Sequence, residues 1–406
     1  MIRIGMPNVQ KVGERSRISA EVRVNDGNPS ALWLEVDSRY SAGLCPDRVD
    51  GFVVGLLGFA LRFKHDIIFD APITDVLKDS IEHDFLDVIC QNEPQIYRVK
   101  LFGPTISPKY PRTIVRAMGL SCGVDCMYTV HNRMLDDSLG ERYFFMTDAH
   151  MQFAKETERE KSARFQPLYQ NARAFAEKLG IPLIIATTNW GPILLKGLSI
   201  DNNTTYCNCF AALMMQNLFS HYYIASGGPV KDFATRYLKN GFFRTDCSNY
   251  DLISLSAFST PALRFVVDGM ESRVDKVKAL LEWPMCWDNL DVCEMHHGGS
   301  MGNGTFDCHK CMHTVNEILA AGGIVGLEKF SKVFDVEYVK THRYEFLAYL
   351  ICQRIECSEV GKEAWRGQAR EGCGVCDYIG ALYIIIRKAI RKMLRKNVGA
   401  KRWVDI

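Results

Sequence analysis

The sequence predicts an α/β protein: a parallel five-stranded sheet with helices on both faces, preceded by a smaller α+β module and followed by a helical C-terminal region. Three observations carry the prediction. Beyond Ile114, short apolar runs alternate with stretches that suit helices, the pattern of parallel strands covered on both sides. Before Pro104, apolar and polar residues alternate one by one, as in half-buried strands. Toward the C-terminus, Tyr378 to Trp403 repeats apolar residues at helical spacing.

In chain order, Ile18 to Val24 and Ala31 to Val36 alternate as strands, and Asn25-Asp-Gly-Asn-Pro29 is the turn between them. Val49 to Phe63, apolar with small residues, predicts a buried helix; Ile67 to Phe69 and Tyr97 to Leu101 predict strands. Pro104, Pro108 and Pro111 mark a stiff linker. The alternating region then gives a strand at Ile114 to Met118, a helix at Asp125 to Met134 and a strand at Tyr143 to Met146. A charged helix from Thr157 to Leu179 ends at Gly180 and leads to a strand at Pro182 to Thr187. A helix at Phe210 to Phe219 and strands at His221 to Ala225 and Leu263 to Val267 complete the sheet. The expected domains are residues 1–104, 112–280, a cysteine-rich segment at 281–330, and a helical region at 331–406.

With 406 residues, 47% of them hydrophobic and 24% charged, the chain suits a globular protein of two or three domains. A net charge of +2 gives no pull toward nucleic acid, and none is expected as a partner. No run is long and apolar enough to cross a bilayer, and the N-terminus, with Arg3 and Lys11, lacks the apolar core of a signal peptide. Fifteen cysteines without an export signal predict reduced thiols or metal ligands in a cytoplasmic protein.

The densest chemical signal follows the strand at Ile114: Ser121-Cys-Gly-Val-Asp-Cys126, a turn running into a helix. Gly123 admits a close backbone approach, Ser121 offers a hydroxyl, and the N–H groups opening a helix bind anion oxygens. Asp125 could help hold Mg²⁺ on phosphates. The segment resembles the PP-loop, Ser-Gly-Gly-x-Asp-Ser, of the ATP pyrophosphatases, with Cys122 in place of the middle glycine and Cys126 in place of the final serine. The resemblance implies a HUP-type sheet and ATP bound at Ser121, Cys122, Gly123, Val124, Asp125 and Cys126. Thr187 and Ser226 fall at other strand ends, where ligands of such sheets bind.

Further on, Arg273 and Lys276 stand within one helical turn of each other and could steady a leaving pyrophosphate or simply face solvent. Ser259-Thr260, Asp268-Gly269 and this Arg-x-x-Lys also resemble uncharacterised PP-loop proteins of bacterial polysaccharide gene clusters. Cys286 and the Cys308-x-x-Cys311 pair, with one further ligand, supply the inventory of a tetrahedral Zn²⁺ site; Cys293, His296, His297 and His313 are the candidates for the fourth. This cluster is similar to that of 7-cyano-7-deazaguanine synthase-like proteins. Cys373-x-x-Cys376 could join a metal site, cycle as a redox pair or do neither. The basic tail helix can cover the domain core or lie on an anionic membrane. A homodimer is open.

Together these features lead to an expected ATP-dependent adenylating enzyme with Asp125, Arg273 and Lys276 as catalytic residues. It would release pyrophosphate and activate a carboxylate or amide of an unidentified substrate for nitrogen or sulfur transfer. Cys122 and Cys126 are the best-placed thiols for sulfur chemistry, since a helix N-terminus lowers a thiol's pKa. The alternative is a nucleotide- or zinc-binding protein without turnover.

Overall fold

Strict alternation in β3 (Arg15–Val24) buries Ser16, Ile18, Ala20 and Val22 on one face, and this period of two fixes the strand's register. β3 pairs antiparallel with β4 (Ser30–Asp37), from Arg15↔Asp37 to Val22↔Ser30, around a turn whose Asn25 takes φ +49°. The computed structural model describes residues 1–108, 114–148, 158–191, 202–230, 247–292, 306, 309–355 and 374–394.

The remaining strands are β1 (Ile2–Ile4), β2 (Asn8–Val12), β5 (Ile67–Phe69), β6 (Ile73–Thr74), β7 (Leu101–Phe102), β8 (Thr105–Ile106) and β9 (Val115–Met118). They continue with β10 (Glu141–Thr147), β11 (Leu183–Thr188), β12 (His221–Ala225) and β13 (Arg264–Asp268). The longer helices are α1 (Asp50–Phe63), α2 (Val124–Arg133), α3 (Glu158–Leu179), α4 (Thr204–Met214), α5 (Asp251–Ala257) and α6 (Arg273–Leu281). Three more follow: α7 (His309–Lys329), α8 (Arg343–Ile355) and α9 (Val375–Leu394).

Among the described residues one sheet holds eleven strands in the order β13-β12-β9-β10-β11-β4-β3-β1-β5-β7, with β2 on β3. Its five consecutive strands β13, β12, β9, β10 and β11 run parallel. The expected sheet of five strands beside a separate N-terminal module is therefore corrected: the N-terminal strands extend the same sheet. β11 pairs antiparallel with β4 at Thr187↔Glu35 and Thr188↔Leu34. Side chains lengthen that short ladder. Asn189 accepts from Trp33 N–H at 2.9 Å and donates to Ala31 C=O at 2.6 Å, while Arg15 Nη2 donates to the carbonyls of Glu35 (2.8 Å) and Ile185 (3.3 Å). Left apart, both strands would present unpaired edges.

Other boundaries differ for local reasons. The strand expected at Tyr97 to Leu101 is confined to Leu101–Phe102, because the Lys100 N–H goes to the Asp66 side chain. The stretch around Pro104 is partly paired, β8 lying parallel to β6. The helix expected from Phe210 begins at Thr204 and ends at Met214, after which Met215 N–H closes onto Ala212 C=O.

The chain separates into two units: residues 1–120, 133–161 and 176–270, which contain the whole eleven-stranded sheet, and residues 121–132, 162–175 and 271–406. In the first, one apolar core joins the strands to α1, α4 and α5. α1 meets α4 at very short range: a Cβ built on Gly55 would stand 2.8 Å from Phe210 Cδ2 and 3.0 Å from its Cβ. Such a contact forces a ring or a helix to move. We expect Gly55→Val to lower unfolding free energy by about 1–3 kcal/mol, measured by urea denaturation; an unchanged midpoint would show that the helices yield freely.

Candidate functional site

In the second unit, α6 is started by Ser272, whose Oγ accepts from Asp275 N–H at 3.2 Å, the side-chain cap a Ser-x-x-Asp spacing provides. The cap fixes the helical register so that Arg273 and Lys276 both reach Asp125, in the first turn of α2. Lys276 Nζ donates to Asp125 Oδ1 at 2.7 Å, and Arg273 Nη1 donates to Oδ2. Arg273 Nε also donates to Glu317 Oε1 at 2.8 Å, and His313 Nε2 stands 2.9 Å from that oxygen. His313 Nδ1 is 3.1 Å from the Tyr349 hydroxyl. The chain of contacts thus runs from α2 through α6 and α7 to α8.

Exposure distinguishes the members. Lys276 and Glu317 are fully enclosed, whereas the Arg273 and Asp125 side chains are 19% and 21% exposed. The Arg273–Asp125 edge is the part a ligand can reach; Lys276 acts by holding Asp125 from behind. Burial alone would raise the Glu317 pKa, but Arg273 and His313 outweigh it and bring the carboxyl down to about 2. Burial opposes the Arg273 charge as well, and Asp125 and Glu317 more than offset it, so its pKa lies above the ordinary arginine range. Among the described residues Glu317 Oε2 has no hydrogen-bond partner.

Asp125, Arg273 and Lys276, singled out in the sequence as catalytic, therefore do come together. Glu317 and Tyr349 were not foreseen; the sequence signal for Glu317 is a carboxylate four residues after His313, on the same helical face. His313, one of four candidates for the fourth zinc ligand, has both ring nitrogens engaged, on Glu317 and at Tyr349. Asp125 was expected to hold Mg²⁺. Both its oxygens accept from cations here, so the carboxylate does not fit a magnesium ion in this arrangement.

The turn before α2 has a particular backbone. Cys122, standing where the PP-loop has glycine, takes φ +58°, the left-handed region that costs a non-glycine residue roughly 1–2 kcal/mol. Its carbonyl accepts from Asp291 N–H at 2.9 Å, which pins the strained residue. Gly123 does not need to be glycine for the fold: its φ is not positive, and an added Cβ would meet only Ser121 Oγ at 3.6 Å and Asp291 O at 3.7 Å. Ser121 Oγ lies 3.4 Å from Gly123 N, and the helix opens with Met127 N–H on Gly123 C=O at 2.8 Å.

The expectation of low-pKa thiols here is corrected. Cys122 and Cys126 are buried, and removal from water pushes both thiols up, reinforced at Cys122 by the charges of Cys126, Asp291 and Cys286. Cys286, expected in the zinc set, is buried with its thiol pushed up by burial and then by Cys126, which puts it near the turn. Cys311 is buried on α7. Cys293, Cys308, His296, His297 and Cys373 lie outside the described residues; among the described residues no three His, Cys, Asp or Glu side chains form a metal-holding group. Cys376 is exposed.

Thr187 and Ser226 belong to the first unit. Thr187 Oγ1 accepts from the Arg15 side chain, through Nη2 at 3.3 Å, and Ser226 Oγ donates to the nearby Gly228 C=O at 2.8 Å. Cys45 Sγ accepts from Arg48 Nε at 2.9 Å in a buried polar group. The first unit also has a cavity of about 600 Å³ beside β12, α5 and β13, lined in part by Ser220, His221, Ser259, Arg264 and Met270. Burial, then Arg264 and Arg116, hold His221 below the usual histidine pKa.

Two outcomes follow from the charge cluster. Asp125→Ala leaves a fully enclosed lysine facing an arginine, and we expect it to cost about 3–5 kcal/mol of stability; chemical denaturation measures it, and a loss near that of a surface pair, about 0–1 kcal/mol, would show that water enters the cluster. Glu317, its folded pKa depressed, contributes stability that is complete above its unfolded pKa of about 4.5 and is lost as pH falls toward about 2. Glu317→Gln should therefore flatten the acid limb of a Tm-against-pH curve in that window while lowering Tm at neutral pH.

No protein-family model, no curated protein and no solved structure matches this chain.

Proposed function

We propose that the second unit takes the phosphate tail of ATP at the Ser121–Cys126 turn and that the protein is an ATP-dependent adenylating enzyme. The observation that carries this reading is the delivery of two cations, Arg273 and Lys276, onto a residue in the first turn of α2. A helix N-terminus already favours anions through its unpaired N–H groups and its dipole. Adding a fixed guanidinium at the solvent-reachable edge creates the place where negative charge leaving on pyrophosphate is best received. The parallel strands in the order β13-β12-β9-β10-β11 also suit a HUP-type nucleotide domain, since the turn follows the central one, β9.

In the proposed reaction an oxygen of a substrate carboxylate or amide attacks the α-phosphorus and forms a new P–O bond. The bond to the bridging oxygen of the β-phosphate breaks, and pyrophosphate leaves with that electron pair. Arg273 meets the departing charge, and Lys276 keeps Asp125 from neutralising the guanidinium completely. A nitrogen or sulfur nucleophile then attacks the activated carbon and AMP departs. Cys122 and Cys126, whose thiols burial pushes up, are poor sources of that nucleophile. The residues do not fit Mg²⁺ at Asp125, and no step is assigned to it. Zn²⁺ at Cys308-x-x-Cys311, with Cys286 and Cys293, is proposed as a structural clasp.

A second reading, nucleotide binding without turnover, is favoured by one observation: Asp125 is occupied by two cations rather than open to a metal. Calorimetry with ATP and a pyrophosphate-release assay separate the two. Gly123→Ala is the informative variant, because the fold has room for the methyl group. We expect unchanged Tm and a loss of ATP affinity of about tenfold or more if phosphate lies against this backbone. Equal affinity would remove the turn from the binding site, and binding without pyrophosphate release would leave only the second reading.

A further inference from the structure

The final described helix, α9, has two apolar faces, and among the described residues one of them is packed. Ala381, Ile384 and Ile385 pack onto Leu347, Ala348 and Ile351 of α8. Gly380 allows the close crossing, since a Cβ there would stand 2.9 Å from Tyr344 Cβ. On the other side Val375, Ile379, Leu382, Tyr383 and Ile386, at spacings of three and four, form a continuous stripe with 76%, 64%, 57%, 64% and 49% of their surfaces in water. Scattered exposed apolar residues are ordinary; five on one helical stripe are not.

The sequence states what could cover them. From Tyr378 to Val404 there are eight Lys or Arg residues and no Asp or Glu, and the same spacing of apolar residues continues to Ile390 and Met393. Arg387, next to the stripe, is exposed. An apolar stripe on a helix whose sequence carries Arg387, Lys388, Arg391 and Lys392 against one acid, Asp377, complements a surface that is apolar beneath and negative at its rim. Another copy of this helix would bring like charges together.

We propose that α9 is a membrane-surface anchor: its outer face lies in the headgroup region of a bilayer rich in anionic phospholipid while its inner face stays on α8. The helix would lie along the surface. Among the described residues no helix is long and apolar enough to cross a membrane. Each basic residue adds attraction to an anionic leaflet, and that part fades with salt.

The test is co-sedimentation of the full chain with phosphatidylcholine vesicles, with and without phosphatidylglycerol. Binding is expected only with phosphatidylglycerol, weakening as salt rises. Ile379→Glu/Ile386→Glu, on the exposed face, should keep the wild-type Tm and circular dichroism while its partition falls by about tenfold or more. The proposal is overturned if the wild type ignores anionic vesicles or if the double variant binds them equally. It is overturned as well if light scattering finds a dimer that the double variant converts to monomer, which would assign the face to a second copy.

Discussion

Charge placed where water cannot reach it constrains everything around it, and in this protein that charge is Lys276. An ammonium group with no exposed surface needs an anion at contact distance, and Asp125 supplies it at 2.7 Å. Asp125 is then committed, which fixes the first turn of α2. Arg273 must share that carboxylate and takes Glu317 as its second partner, so α6 is locked to α7. Two cations and two anions nearly cancel, and the arrangement is tolerable only because each part is present. Apolar residues of similar volume could hold three helices together as well or better. The retention of polar groups at such expense, with the Arg273–Asp125 edge open to solvent, is the physical argument for a site rather than a strut.

The neighbouring turn has the same character. Cys122 occupies a left-handed conformation that glycine would adopt freely, and its thiol is buried among Cys126, Cys286 and Asp291. A residue kept in a strained backbone by its surroundings shows that the shape of the turn is imposed rather than chosen by the local sequence. The helix dipole, which lowers thiol pKa values elsewhere, loses to removal from water here.

Much of the fold was legible in the sequence because periodicity is local. The alternation in β3, the apolar run of β12 and the glycine-rich helix α1 each announce themselves within a dozen residues. The joining of β4 to β11 could not be read that way. It depends on Glu35 and Thr187 pairing across some 150 intervening residues, on Asn189 continuing a ladder with its side chain, and on Arg15 reaching over both strands. At the site, Arg273 and Lys276 were legible as two cations on one turn, while a solvated face was an equal reading of the same spacing. Only packing makes Lys276 a buried group. Glu317 was hidden because a carboxylate on the buried side of a mixed helix has meaning only once its partner is in place.

The seam between β4 and β11 also bears on how this chain is made. Its N-terminal hairpin leaves the ribosome long before the strand it must join, and its outer edge stays unpaired until β11 has been synthesised. Contacts so distant in sequence close slowly, and an early sheet with a bare margin invites association with other nascent chains. The few bonds across that seam can form only once β11 is made, and β12 and β13 still have to join the sheet after it. Production of the protein should be more sensitive to temperature and translation speed than its final packing suggests.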